Sequence, residues 1–215
     1  MSSSSAQYPW RRLRSVVGRI VRWLYRSGHR QMLTKELRGT VAALRGIALD
    51  VGGGPDSVLA GSWTPAVRRI RVDIEVAGKP DVQGDAQRLP VRSSSVDAVL
   101  ISEVLQYVAN PRAAVMEAHR VLRSGGMLVA SVPFLASGVH DNAHDYYRYT
   151  DAGLRLLLGN FGDVDVRAHG NAFGASWRIV FSRLRFLVPL NPVMRNMGRW
   201  ADPLFPEGYV VRARK

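Results

Sequence analysis

The sequence predicts an α/β protein built on an open, mostly parallel sheet with helices on both faces. Short β-like runs recur at Gly46–Val51, Arg69–Asp73, Val96–Ser102 and Met127–Val132. A helical pattern, Pro111–Leu122, separates the last two, as a parallel pair requires. The first run ends in Asp50-Val51-Gly52-Gly53-Gly54, a glycine turn of the kind found at the ligand-binding edge of doubly wound sheets. At 215 residues, 47% of them hydrophobic, the chain is long enough for one domain with a substantial core.

The elements follow in order. Residues 1–9 are a polar, serine-rich lead-in. The spacing of Leu13, Val16, Val17, Ile20 and Leu24 predicts an amphipathic helix over 10–38, with Arg11, Arg12, Arg19, Arg22 and Arg26 on its other face. Residues 1–45 thus read as an appendage and 46–215 as the domain proper. Pro111 suits a first helical turn, and Gly125-Gly126 is expected to end that helix before the next strand. Thr150 caps a helix to about Leu158, and a strand follows near Val164–Ala168. A helical, arginine-rich stretch covers Ala175–Trp200, and Gly208–Lys215 reads as a last strand.

Composition narrows the function. The chain has no cysteine, which removes disulfide scaffolds, zinc–thiolate sites and thiol nucleophiles. It has no apolar run of spanning length, and arginines interrupt the N-terminal apolar residues, so the expected location is cytoplasmic. The net charge of +13 is uneven: residues 1–45 carry +9, 46–166 carry −3 and 167–215 carry +7. The basic flanks, and not the centre, raise the question of partners. The helix at 10–38 has three uses: peripheral contact with an anionic membrane, packing on the core or on a second subunit in a homodimer, or a lid.

A cofactor site is expected at the glycine turn. Asp73 ends the second strand, where a carboxylate can accept hydrogen bonds from ribose hydroxyls. Asp85, in Gly84-Asp85-Ala86, follows a third short strand and can meet an adenine amino group. A dinucleotide fingerprint would need glycine at position 57, which is Ser, so a nicotinamide cofactor is disfavoured.

Asp50-Val51-Gly52-Gly53-Gly54, Asp73, Gly84-Asp85-Ala86 with Leu89-Pro90, Val96-Asp97-Ala98-Val99 and Arg120-Val121-Leu122-Arg123-Ser124-Gly125-Gly126 occur in order over about residues 46–135. This set resembles the class I S-adenosylmethionine (SAM)-dependent methyltransferases of the type 11 branch. The resemblance implies a Rossmann-like sheet of seven strands, the last antiparallel. It also implies that Asp50, Gly52, Gly53 and Gly54 surround the methionine part of SAM, Asp73 the ribose, and Asp85 with Ala86 the adenine. Two positions depart from the pattern: Pro55-Asp56 stands where the third glycine usually falls, and Tyr107 replaces a histidine common after the fourth strand.

The acceptor side is expected at His140-Asp141-Asn142-Ala143-His144-Asp145-Tyr146-Tyr147-Arg148-Tyr149-Thr150, which follows the fifth strand. Methyl transfer to a hydroxyl benefits from a base, and imidazole titrates near neutrality, so His144 and His140 are the candidate bases, with Asp145 or Asp141 to orient one of them. Tyr146, Tyr147 and Arg148 are suited to hold a polar ring, and Glu103 can face the acceptor from the loop after strand four. Other uses stay open. The two histidines, four apart, can hold a divalent metal if the loop is helical, and Arg148 can simply pair with Asp145 or Asp151. The run His140, Ala143, Asp145-Tyr146-Tyr147-Arg148-Tyr149-Thr150 resembles a motif of methyltransferases found near polysaccharide genes. That resemblance implies a saccharide or glycan hydroxyl as acceptor, a mannoside 1-hydroxyl for instance. Nucleobase amino methylation is disfavoured, because Ser102-Glu103-Val104-Leu105 stands where its Asn/Asp-Pro-Pro-Tyr-like motif would be. The remaining alternatives are an RNA-directed methyltransferase and a non-catalytic SAM-binding protein of the membrane surface.

Overall fold

The computed structural model describes residues 28–54, 59–135, 144–176 and 204–215. The apolar stripe Leu13–Leu24, Pro55-Asp56, His140, Asp141 and most of the stretch to Trp200 lie outside these residues.

Helix α1 (Gly28–Ala43) precedes β1 (Gly46–Val51), β2 (Val67–Asp73), β3 (Val82–Gln83) and β4 (Val96–Ser102). Then come α2 (Pro111–Val121), β5 (Leu122–Pro133), α3 (Asp151–Leu157), β6 (Asp163–His169) and β7 (Gly208–Arg214). The seven strands form one sheet in the order β3-β2-β1-β4-β5-β7-β6. All run parallel except β7, which is antiparallel to both β5 and β6. The predicted sheet, with its antiparallel last strand, is the one observed.

Each sheet face has its own cover. On one face Leu154, Leu158 and Phe161 join the α2 residues Ala114, Val115, Ala118 and Val121 over Leu49, Val99, Ile101, Leu128 and Val211. On the other, Leu33, Leu37 and Val41 of α1 pack with Leu59 on Leu100, Val129 and Val210. The spacing i, i+4, i+8 puts the three α1 residues on one stripe. The helix therefore runs past the predicted end at residue 38 to bury Val41, and Gly39 is tolerated within it at about 1 kcal/mol. Arg45 then covers its last carbonyls, donating to Ala42 O at 3.0 Å and Leu44 O at 2.7 Å.

Local chemistry sets the other ends. Asn110 Oδ1 accepts from Ala113 N at 3.1 Å, and Pro111 follows as the first residue of α2. Thr150 Oγ1 accepts from Gly153 N at 3.1 Å and starts α3 as predicted. The expected role of Gly125-Gly126 is corrected. Helix α2 passes directly into β5 at Leu122, and the two glycines lie inside that strand. Gly125 adopts φ 76°, which favours glycine, where the β4–β5 register shifts between Val96 and Ala98. Among the described residues, only single 3-10 turns, Ala60–Ser62 and Val76–Gly78, join β1 to β2 and β2 to β3.

Leu37→Ala should lower the stability of the protein by about 2–5 kcal/mol in urea unfolding, since Leu37 of α1 is fully buried against the sheet. Leu156→Ala, at an exposed site on α3, should change it by less than about 0.5 kcal/mol.

Candidate active site

The parallel strands end along one edge, and the candidate residues gather there. At the end of β1 the Asp50 carboxylate is buried. It accepts from Arg69 Nε at 2.8 Å and also pairs with Arg69 Nη2, and the guanidinium lies 5.2 Å from the centre of the Trp63 ring. Burial pushes the Asp50 carboxyl above its ordinary range, against the lowering effect of Arg69. Asp50 therefore supports the loop from below. A Cβ on Gly53 would fall 2.3 Å from the Asp50 carboxylate, so the chain folds over this ion pair only without a side chain there. Gly52 adopts φ 72°, donates to Val72 O at 2.7 Å and leaves 2.4 Å between an added Cβ and Val104. A Cβ on Gly54 would meet nothing within 4 Å, so the open side of the cradle is there.

Asp73 closes β2. Its Oδ1 accepts from Glu75 N at 3.0 Å, which orients the carboxylate, and its Oδ2 accepts nothing from the described residues. Asp85 is held by Gln87, whose backbone N–H donates to Oδ1 at 2.8 Å and whose Nε2 lies 3.1 Å from Oδ2. Gln87 Oε1 in turn accepts from Asn110 N at 3.0 Å. Ala86 is buried between these groups and Leu89. The residues fit SAM: a side-chain-free cradle, a carboxylate with a free oxygen for vicinal hydroxyls, and a carboxylate on a fixed turn for an amino group. Gln87 had no motif to mark it; it emerges only as the group that fixes Asp85.

The expected acceptor side begins at Glu103, just past β4. Its φ of 59° is a strained conformation for a residue with a side chain, and such strain gathers at functional sites. Glu103 N donates to Ser131 O at 3.0 Å and its carbonyl accepts from Gln106 Nε2 at 3.0 Å. The segment 144–149 is pinned on this turn. The N–H groups of Tyr146 and Tyr147 donate to Gln106 O at 2.8 and 3.2 Å. Tyr147 OH donates to Ala109 O at 2.9 Å, and Tyr149 OH to Leu105 O at 3.1 Å. The rings of His144, Tyr146, Tyr147 and Tyr149 follow one another at 5.9, 6.1 and 5.9 Å between centres.

This arrangement redistributes the expected acceptor residues. Arg148 makes two bonds to Asp145, at 2.5 and 2.7 Å, and one to Tyr147 O at 2.8 Å. Asp145, expected to orient a histidine, thus clasps Arg148, and the pair stiffens the segment. Tyr149 is buried and serves the core, and Tyr147 spends its hydroxyl on Ala109 O. Tyr146 keeps a ring 49% exposed, and His144 follows it outward. Burial raises the Tyr107 phenol above its ordinary range, opposed by the Gln106 amide and supported by the charges of Asp145 and Glu103. Tyr107 therefore remains a protonated donor at neutral pH. Among the described residues, no group of three or more His, Asp or Glu side chains is placed to hold a metal ion.

Two substitutions check this geometry. Asp73→Ala should weaken SAM binding at least about tenfold by calorimetry, the loss of a charge-assisted hydrogen bond, with little change in melting temperature. Arg69→Met should destabilise the fold by about 3 kcal/mol at pH 7, because it leaves a buried carboxylate without its cation. A carboxyl whose folded pKa is raised favours folding below its unfolded pKa and loses that contribution as pH rises through the folded value. The cost of Arg69→Met should therefore shrink from pH 7 to pH 5, and adding Asp50→Asn should recover part of it.

Residues 49–130 match the family described as methyltransferase domain. The chain is 52% identical over 74 residues to demethylmenaquinone methyltransferase of Mycobacterium tuberculosis, which is 33% of this chain and 31% of that protein. It is 39% identical over 77 residues to the ubiquinone/menaquinone biosynthesis C-methyltransferase UbiE of Caulobacter vibrioides, 34% of this chain and 30% of that protein. The matches thus span less than a third of the length of these curated relatives. Among solved structures, a SAM-dependent methyltransferase from Archaeoglobus fulgidus superposes with TM-score 0.60 at 17% identity, over 86% of this chain and 94% of that one. A SAM-dependent methyltransferase from Thermotoga maritima, described as a possible histamine N-methyltransferase, gives 0.58 at 17% identity, over 96% and 99%. At that identity the likeness is one of fold. Residues 49–130 therefore match a methyltransferase domain, and the fold is the one that SAM-dependent methyltransferases share.

Proposed function

We propose that the chain transfers the methyl group of SAM to a hydroxyl of a saccharide, with His144 as the base. One observation carries the reading: the aromatic run His144, Tyr146, Tyr147 and Tyr149 is pinned by Gln106, Ala109 and Leu105 just past the end of β4, on the edge that holds the cofactor residues. SAM supplies an already activated methyl group, so the protein has to align the acceptor and remove one proton. The exposed Tyr146 ring offers an apolar face to the C–H side of a pyranose, and the Asp145–Arg148 pair keeps that face in place. His144 lies beside it to take the hydroxyl proton. A mannoside 1-hydroxyl is the first acceptor to try.

A second reading, methylation of a ring carbon in a quinone precursor, is favoured by the names of the curated relatives. A tyrosine face stacks on a planar ring as readily as on a sugar. The family match, however, stops at residue 130, before the aromatic run begins.

Transfer of labelled methyl from SAM to a mannoside or to demethylmenaquinone separates the two. The first reading expects label in the glycan and none in the quinone, and the reverse result overturns it. His144→Ala should lower turnover about 10²–10⁴-fold while leaving SAM affinity within about twofold. His140→Ala is the companion variant, and full turnover in both would remove the histidine base from the mechanism.

A further inference from the structure

The sheet ends on β6, whose outer edge is open: among the described residues only β7 pairs with it. In an antiparallel pair the backbone groups of alternate residues point toward the partner. His169 O accepts from Glu207 N at 2.9 Å, so the odd-numbered residues of β6 bond to β7. Val164, Val166 and Ala168 direct their N–H and C=O groups outward. Val164 O accepts there from Arg155 Nη1 at 3.1 Å, and Asp151 holds that arginine at 2.7 Å. Val166 and Ala168 have no such cover among the described residues. Their side chains, with that of Val164, are partly buried against the core. Asp163, Asp165 and Arg167 lie on the opposite face. The side chains of Asp165 and Arg167 are 41% and 58% exposed. Arg167 Nε donates to Asp165 Oδ2 at 2.8 Å, and Arg212 Nη1 lies 3.9 Å from the same oxygen. Asp165 Oδ1 and the Nη groups of Arg167 have no partner among the described residues.

Open edges invite pairing, and proteins guard them with charges that repel a second strand. The charges of β6 are instead matched to themselves. About a two-fold axis through Val166, a second β6 sets Val166 opposite Val166, Val164 opposite Ala168 and Asp165 opposite Arg167 on both sides of the axis. Sliding the mate by two residues one way sets Asp165 against Asp165, and the other way Arg167 against Arg167. A slide of one residue sets the charged face of each strand beside the apolar face of the other. We propose that β6 pairs antiparallel with β6 of a second copy about that axis, joining the two seven-stranded sheets into one. The two Val166 residues exchange both backbone bonds. Val164 O, beside its bond to Arg155, has a second lone pair for the N–H of Ala168 in the mate. Asp165 Oδ1 of each copy faces the Nη groups of Arg167 in the other. Because the strands run in opposite directions, the sheet edges that carry Asp50 and Asp73 face opposite ways, and neither site is blocked. The pairing does not depend on which acceptor is methylated.

Sedimentation equilibrium of the full chain tests it. The wild type should show a monomer–dimer equilibrium. Arg167→Asp sets carboxylates opposite carboxylates, and Asp165→Arg sets guanidinium groups opposite guanidinium groups. Each should weaken the dimer at least about tenfold. Melting temperature should stay within about 3 °C, because both side chains are exposed. The double variant Asp165→Arg, Arg167→Asp restores opposite charges across the axis and should recover the dimer. An equimolar mixture of the two single variants should form the mixed pair. A wild type that stays monomeric up to about 1 mM would overturn the proposal. So would a dimer that neither single variant weakens, which would move the contact to another surface, such as residues 10–38. A dimer lost in the single variants and recovered in neither the double variant nor the mixture would overturn the Val166 register, and the proposal with it.

Discussion

The carboxylate of Asp50 is buried under the loop that it helps to shape, and Arg69 from the neighbouring strand neutralises it. Everything at the cofactor end follows from that placement. With a charge beneath it, the backbone at Gly53 must pass without a side chain, and the turn at Gly52 must enter the left-handed region to return to Val72. The loop is thereby held open at Gly54, one strand away from Asp73. A buried ion pair is costly to assemble, and an apolar pair of similar volume is often as stable. What this pair provides is one conformation of the loop, at the place where a cofactor needs backbone and not side chains.

The two halves of the site are joined by side chains that carry no chemistry of their own. Gln87 fixes Asp85 on one side and reaches the backbone of Asn110 on the other, where the same Asn110 caps α2. Four residues earlier, the carbonyl of Gln106 receives two N–H groups of the aromatic segment, and the Gln106 amide returns to Glu103. The turn after β4 is thus gripped from the Asp85 turn and from the Tyr146–Tyr147 segment together. The strain at Glu103 persists because both grips, and the bond to Ser131, leave it no other conformation.

Local signals were the legible ones. The strands, the Asn110–Pro111 start of α2 and the Thr150 cap of α3 are set by neighbours within a few residues, and the sequence displays them. Gly125-Gly126 misled because a glycine pair serves a helix end and a strand irregularity equally well, and only the pairing with β4 decides between them. Arg69 could not be found as the partner of Asp50, since the two meet only when β2 lies beside β1. Arg148 and Asp145 were legible both as site residues and as a pair, and the geometry makes them a pair. Gln87 and Gln106 gave no signal, because a glutamine acting on backbone groups has no preferred spacing.

The position of β7 has a consequence for the order in which the molecule can form. It lies between β5 and β6, although it follows both in the chain, and among the described residues it is the only strand that pairs with β6. Until Gly208–Arg214 arrives, β6 lacks its partner among the described strands and one flank of β5 is unpaired. Bringing Gly208 back beside His169 is an entropic cost met before any of the pairing it makes possible. The pairing of β5 and β6 into the distal half of the sheet therefore waits on the entry of a single strand. A chain arrested short of that step would expose two strand edges ready to pair with another molecule.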